Sequence, residues 1–171
     1  MFFLRAQHDQ FVCVVMARAP GVPLSACAAG LRCVAADVLA AHVDRLRQAG
    51  IVHGDLRSPN VLVACSAEVK ADDADECALP PAASVAVAIV DWSWAGLAGQ
   101  DTYRVQPEPS LRWNDGSPVF PKDTALGCKL RVEHDARFVR QHRAEAAAAL
   151  AAARQKKEDA AKVPISTTSM V

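Results

Sequence analysis

The chain has 171 residues, and its 19 Lys and Arg are balanced by 19 Asp and Glu. That length suits one medium domain with a real core and leaves little room for two. The charge balance argues against a global field for nucleic acid or an acidic membrane, and no apolar run approaches the roughly 18 residues of a membrane span.

Aromatic residues make up only 5% of the chain, so a core here must lean on Val, Leu and a few large side chains. The six cysteines, at 13, 27, 33, 65, 77 and 128, contain no Cys-x-x-Cys pair, and no histidine pair has zinc-finger spacing. They read as small buried residues in a reducing compartment rather than metal ligands or a disulfide frame. The N-terminal apolar stretch is too short for a signal-peptide core. A soluble, cytoplasmic protein is expected.

FVCVVMA, residues 11 to 17, predicts a buried strand, and ARAPGVPLS after it a turn or hinge. From Arg32 to Gln48, Val34, Val38, Leu39, Val43 and Leu46 fall on one helical face, and Gly50 stands where a left-handed residue commonly closes a helix. Ile51-Val52 and Val61-Leu62-Val63 predict short strands around the segment IVHGDLRSPNVLV. Residues 66 to 84 are acidic, rich in Pro and Ala and aperiodic, which predicts an exposed, mobile insertion. VAVAIVDW, residues 85 to 92, predicts an apolar strand running into Asp91. About forty irregular residues follow, with glycines at 96, 99, 116 and 127.

Asp135 to Lys162 is helical by propensity but offers few large apolar residues. An exposed, partly frayed helix and a loose tail are expected there. Trp92 and Trp94 read as packing residues, His134-Asp135 as a polar pair that starts a helix, and the RQKK run at 154 to 157 as a solvated face.

Phosphoryl transfer from a nucleotide requires a carboxylate to orient the attacking hydroxyl and take its proton, oxygen ligands for magnesium, and positive charge near the phosphates. His53, Asp55 and Asn60 have the spacing H-x-D-x-x-x-x-N. Asp91 follows an apolar strand 31 positions after Asn60, and Arg57 is two residues beyond Asp55, where it can hold a phosphate oxygen or developing charge.

The helix ending in QAGIVHGDLRSPNVLV and the later VAIVDWSWAG resemble the first large-lobe helix, catalytic loop and metal-binding strand of the protein-kinase-like superfamily. The resemblance runs from Phe11 to Gly99. It implies Asp55 as catalytic base, Asn60 and Asp91 as magnesium ligands, and His53 as a structural residue of the loop. It also implies an adenine-contacting hinge around Met16 to Pro20, with Met16, Ala17 and Arg18 against the nucleotide. ATP and Mg2+ are then the cofactors and a protein Ser/Thr hydroxyl the acceptor.

The fold implied is α+β: a mainly helical large-lobe fragment with short strands at the cleft and the small lobe largely missing. Residues 1–142 would form the partial domain and 143–171 the Ala-rich helix and tail. The departures are Gly54 in place of the arginine of regulated protein kinases, Ser93 in place of the metal motif's glycine, and no glycine-rich loop or strand lysine. A small-molecule kinase of the aminoglycoside or choline type, and a catalytically dead binding module, are the alternative readings.

Overall fold

The structure, a computed structural model, describes residues 2–5, 12–15, 18–66, 77 and 79–162, with the first two segments described by backbone alone. Among these residues the fold is α+β, built from two long helices and three small antiparallel sheets. Strands β1 (Phe2–Arg5) and β2 (Val12–Val15) pair with each other. β3 (Val22–Pro23), β5 (Val61–Cys65) and β6 (Val85–Ile89) form a second sheet in the order β3-β5-β6, and β4 (Ile51–Val52) pairs with β7 (Gly96–Leu97).

Alternating burial along β5 suits the register of the β5-β6 pair. Val61 and Val63 are buried and pair with Ile89 and Val87, while Leu62 between them is less buried. At the entry to β3, Gly21 adopts φ +114°, and a Cβ there would lie 2.5 Å from the Val63 carbonyl oxygen. Only glycine fits both constraints.

Helix α1 (Ala29–Gln48) begins three residues before the predicted Arg32, with no side-chain cap at Ala28. Ala29 and Gly30 are buried there, so packing rather than a capping signal sets the start. Its end matches the reading: Gly50 has φ +69° and its N–H bonds the Arg47 carbonyl at 3.0 Å.

Helix α2 (Val132–Ala161) departs most from expectation. Its first half is not exposed, because His134, Asp135, Phe138, Val139, His142 and Ala146 are all buried. Those positions recur at three- and four-residue steps and form one stripe. α1 and α2 make the largest contact between any two elements, closed at the rim by the Arg143–Asp37 ion pair at 2.8 Å. Beyond Ala146 no α2 residue is buried, so the exposed helix expected from residue 143 begins about one turn later than predicted.

The main core joins Leu39 and Val43 of α1, Val61, Val63, Val85 and Val87 of the sheet, and Phe138 and Val139 of α2. Phe120, from the irregular segment between β7 and α2, enters the same core and lies 5.8 Å from the Phe138 ring. Trp94 packs on both Phe120 and Tyr103, as expected of a packing residue. Trp92 differs: it is 45% exposed, donates its indole N–H to the Ile89 carbonyl, and meets the His53 ring edge-on at 4.8 Å.

No helix among the described residues is long and apolar enough to cross a membrane. Met16, Ala17, most of the 66–84 insertion and residues 163–171 lie outside the described residues. Arg18 is described and exposed.

Candidate active site

β4 ends at Val52 and β5 begins at Val61, so the eight residues between them form a short connection around Asp55. The loop backbone is held on both sides of that aspartate. Asp135 accepts the N–H of His53 at 2.7 Å and of Gly54 at 2.9 Å. His142 Nε2, two helical turns further along α2, bonds the Leu56 carbonyl at 2.7 Å. Residues 135 and 142 share one face of the helix, so a rigid element fixes the backbone before and after Asp55.

His53 is fully buried, and its ring is committed to the scaffold. Nε2 lies 3.1 Å from the Val90 carbonyl and Nδ1 accepts the Asp55 N–H at 3.3 Å. With Nδ1 accepting, Nε2 is the ring N–H donor. His53 therefore ties the loop to the end of β6 and has no ring nitrogen left for a substrate.

Asp55 is 3% exposed, and its carboxylate is gripped from two directions. Arg57 donates Nε to Oδ1 at 2.6 Å and Nη2 to Oδ2 at 2.7 Å, a bidentate pair. Asn60 Nδ2 donates to Asp55 Oδ2 at 3.0 Å and to its backbone carbonyl at 2.9 Å. Arg57 thus faces the carboxylate, with Nη1 outside the pair, and its guanidinium stands 5.5 Å over the Phe120 ring. The hydrogen bonds Arg57 donates to Asp55 raise its pKa above the ordinary value, burial opposes this, and the charges of Asp55 and Asp91 add to it.

The chain reverses at the end of β6. Val90 N–H bonds the Asn60 carbonyl at 3.0 Å, which sets the two segments side by side. Asp91 then takes φ +60°, ψ +69°, the only non-glycine residue with positive φ among those described. A left-handed aspartate of this kind is uncommon outside functional sites and turns. Its Oδ1 accepts the Ser93 hydroxyl at 2.6 Å and the Ser93 N–H at 3.4 Å.

Asn60 and Asp91 present hard oxygen donors of the kind magnesium takes. No group of three His, Cys, Asp or Glu side chains among the described residues could hold a metal on its own. An ion here would rest on Asp91, the Asn60 carbonyl oxygen, phosphate and water, and the donor chemistry fits that demand.

Sequence reasoning missed Asp135 and His142 as supports of the loop. The available signal was weak: they sit with His134 as polar residues in a helical stripe whose other members are Phe138, Val139 and Ala146. Burial raises the Asp135 pKa, against the hydrogen bonds from His53 and Gly54 that lower it. Burial also lowers His134 and His142 below the ordinary 6.5.

For a histidine depressed in this way, the unfolded chain binds the proton more tightly. Its contribution to stability is full above pH 6.5 and is lost as pH falls through the folded value. Melting temperature should therefore drop as pH is lowered from about 7 to about 5. His142→Gln, which can still donate to Leu56 but does not titrate, should show a shallower drop in parallel thermal scans. Because Asp135 is common to both proteins, its opposite pH dependence cancels in the comparison.

No protein-family model matches the chain, and no curated protein or solved structure shows significant similarity to it.

Proposed function

We propose that the chain carries a protein-kinase-like phosphotransferase site, which uses ATP and Mg2+ to phosphorylate a Ser/Thr hydroxyl of a protein. One observation carries the reading. Asp55 sits on a loop fixed at both flanks by α2, with Arg57 and Asn60 on its carboxylate and the left-handed Asp91 beside it in the fold. A base for a hydroxyl needs this kind of positional restraint, because proton transfer occurs only within hydrogen-bond reach.

In this mechanism Asp55 orients the acceptor hydroxyl and takes its proton. Asn60 holds Asp55 through Nδ2, and its side-chain oxygen together with the Asp91 carboxylate would hold the magnesium ion. Magnesium, when bound, neutralises charge on the transferring phosphoryl group. Arg57 fixes the carboxylate and supplies positive charge next to the reacting oxygens. His53, Asp135 and His142 touch no substrate and act by positioning the loop.

The test is transfer of labelled γ-phosphate from Mg-ATP to Ser/Thr acceptors. Asp55→Asn should lower transfer by about 10²–10⁴-fold, the usual contribution of a positioned base. Undiminished transfer in that variant would rule the mechanism out.

A further inference from the structure

Beside the catalytic loop, on the side of α2, lies a cavity of about 310 Å3 lined in part by Arg32, Arg57, Arg112, Leu24, Trp113 and Glu145. Its lining holds three arginines and one carboxylate, and because Arg57 is already paired with Asp55, Arg32 and Arg112 carry the charge left for a ligand. Glu145 is itself occupied, accepting the Asn114 N–H at 3.0 Å. Arg32 and Arg112 have no ion-pair partner among the described residues; they bond only backbone carbonyls, Arg32 through Nε to Cys27 and Arg112 through Nη1 to Pro109 and Leu111. Each guanidinium has five N–H donors, so most of theirs stay free. Trp113 packs edge-on against His142 and Phe138, which gives the cavity a rigid apolar wall.

Arg57 belongs to both places: it holds Asp55 and lines the cavity. A group in the cavity is therefore about one or two extended residues from a hydroxyl at Asp55, at roughly 3.5 Å per residue. The cavity also shares Arg32, Asn114 and Glu145 with a second hollow of about 400 Å3 that reaches Ala149 of α2 and adds Asp115, whose oxygens already accept the Ser117 N–H at 2.8 Å and the Gln141 amide at 3.2 Å. From His142 to Ala149 the helix rises about 10 Å at 1.5 Å per residue. Such a track suits an extended segment better than a compact metabolite.

Resting on the phosphotransferase reading, we infer that this cavity selects an acidic acceptor peptide, with Asp or Glu within about two residues of the acceptor hydroxyl. The arginines supply the complementary charge, and Glu145 turns away a basic neighbour.

Binding to the full chain can be measured by anisotropy with three dye-labelled serine peptides, flanked by aspartate, lysine or alanine. The aspartate peptide should bind roughly tenfold tighter than the lysine peptide, and more weakly as salt rises. Arg32→Gln and Arg112→Gln should each weaken it by up to about fivefold, as for partly exposed charge pairs. Glu145→Gln, which keeps an oxygen for Asn114, should tighten it, so the charge argument is tested in both directions on variants checked for unchanged melting.

Equal or tighter binding of the lysine peptide, or full affinity in the Arg32→Gln/Arg112→Gln double variant, overturns the inference. The catalytic reading is separable: acidic-peptide binding without label transfer sinks that reading and leaves this one standing. Transfer with no preference among the peptides does the reverse.

Discussion

Replacing Asp135 by alanine is expected to destabilise the protein by about 2–4 kcal/mol and, on the proposed phosphotransferase reading, to abolish label transfer. Two opposing effects set that range. The His53 and Gly54 N–H groups would be left buried without partners, at about 1–3 kcal/mol each. Against this, removal of a carboxylate that is only 2% exposed, and whose pKa burial raises, returns part of a desolvation cost. The first effect prevails because two buried donors each lose their acceptor oxygen. Asp135→Asn separates the contributions. It keeps the volume and one acceptor oxygen but sets an amide NH2 against the second backbone donor, so it should still cost about 2 kcal/mol. Urea titration measures both variants, and the midpoint should fall with an unchanged slope. A loss below about 0.5 kcal/mol in Asp135→Ala, the range of ordinary surface substitutions, would show that the carboxylate does not hold the loop.

The loop around Asp55 was legible because its restraints are local. Spacing alone relates His53, Asp55, Arg57 and Asn60, and most of their mutual hydrogen bonds span five residues or fewer. Gly50 was legible for the same reason, as were the short apolar strands β5 and β6. What escaped the sequence is long-range. Asp135 bonds residues 81 and 82 positions away, and His142 one 86 positions away. In α2, alanine-rich composition suggested a helix with nothing to bury. Yet burial there is achieved by two aromatic contacts to Phe138 and by polar side chains whose partners lie on another element. Likewise Trp113 and Phe120, in a stretch without periodicity, gave no hint that they wall a cavity and back Arg57. Hydrophobic period reports which face is apolar; it does not report which polar group on that face will be satisfied by a distant backbone.

Gly54 shows how one such position constrains the site. It occupies the place of the arginine of regulated protein kinases, the family the loop resembles, and its backbone has φ +82°. An L residue there costs about 1–2 kcal/mol for the left-handed conformation alone. A Cβ would also stand 3.3 Å from the Trp94 carbonyl oxygen, 3.4 Å from Tyr103 Cε1 and 3.5 Å from Leu130 Cδ2, and the last two side chains are themselves buried. Gly54→Ala should therefore cost about 1.5–3 kcal/mol, mostly conformational. Gly54→Arg must push a long charged side chain past Tyr103 and Leu130, which adds overpacking of about 1–3 kcal/mol and an unpaired charge near a buried surface. The expected order in urea melts is wild type, then alanine, then arginine, with the arginine variant lowest by about 3–5 kcal/mol. The same shift breaks the Gly54 N–H bond to Asp135, so label transfer should fall further in the arginine variant than its loss of folded protein explains. If arginine were accommodated within about 1 kcal/mol of alanine, the wall would be yielding rather than packed, and the loop would owe its shape to Asp135 and His142 alone.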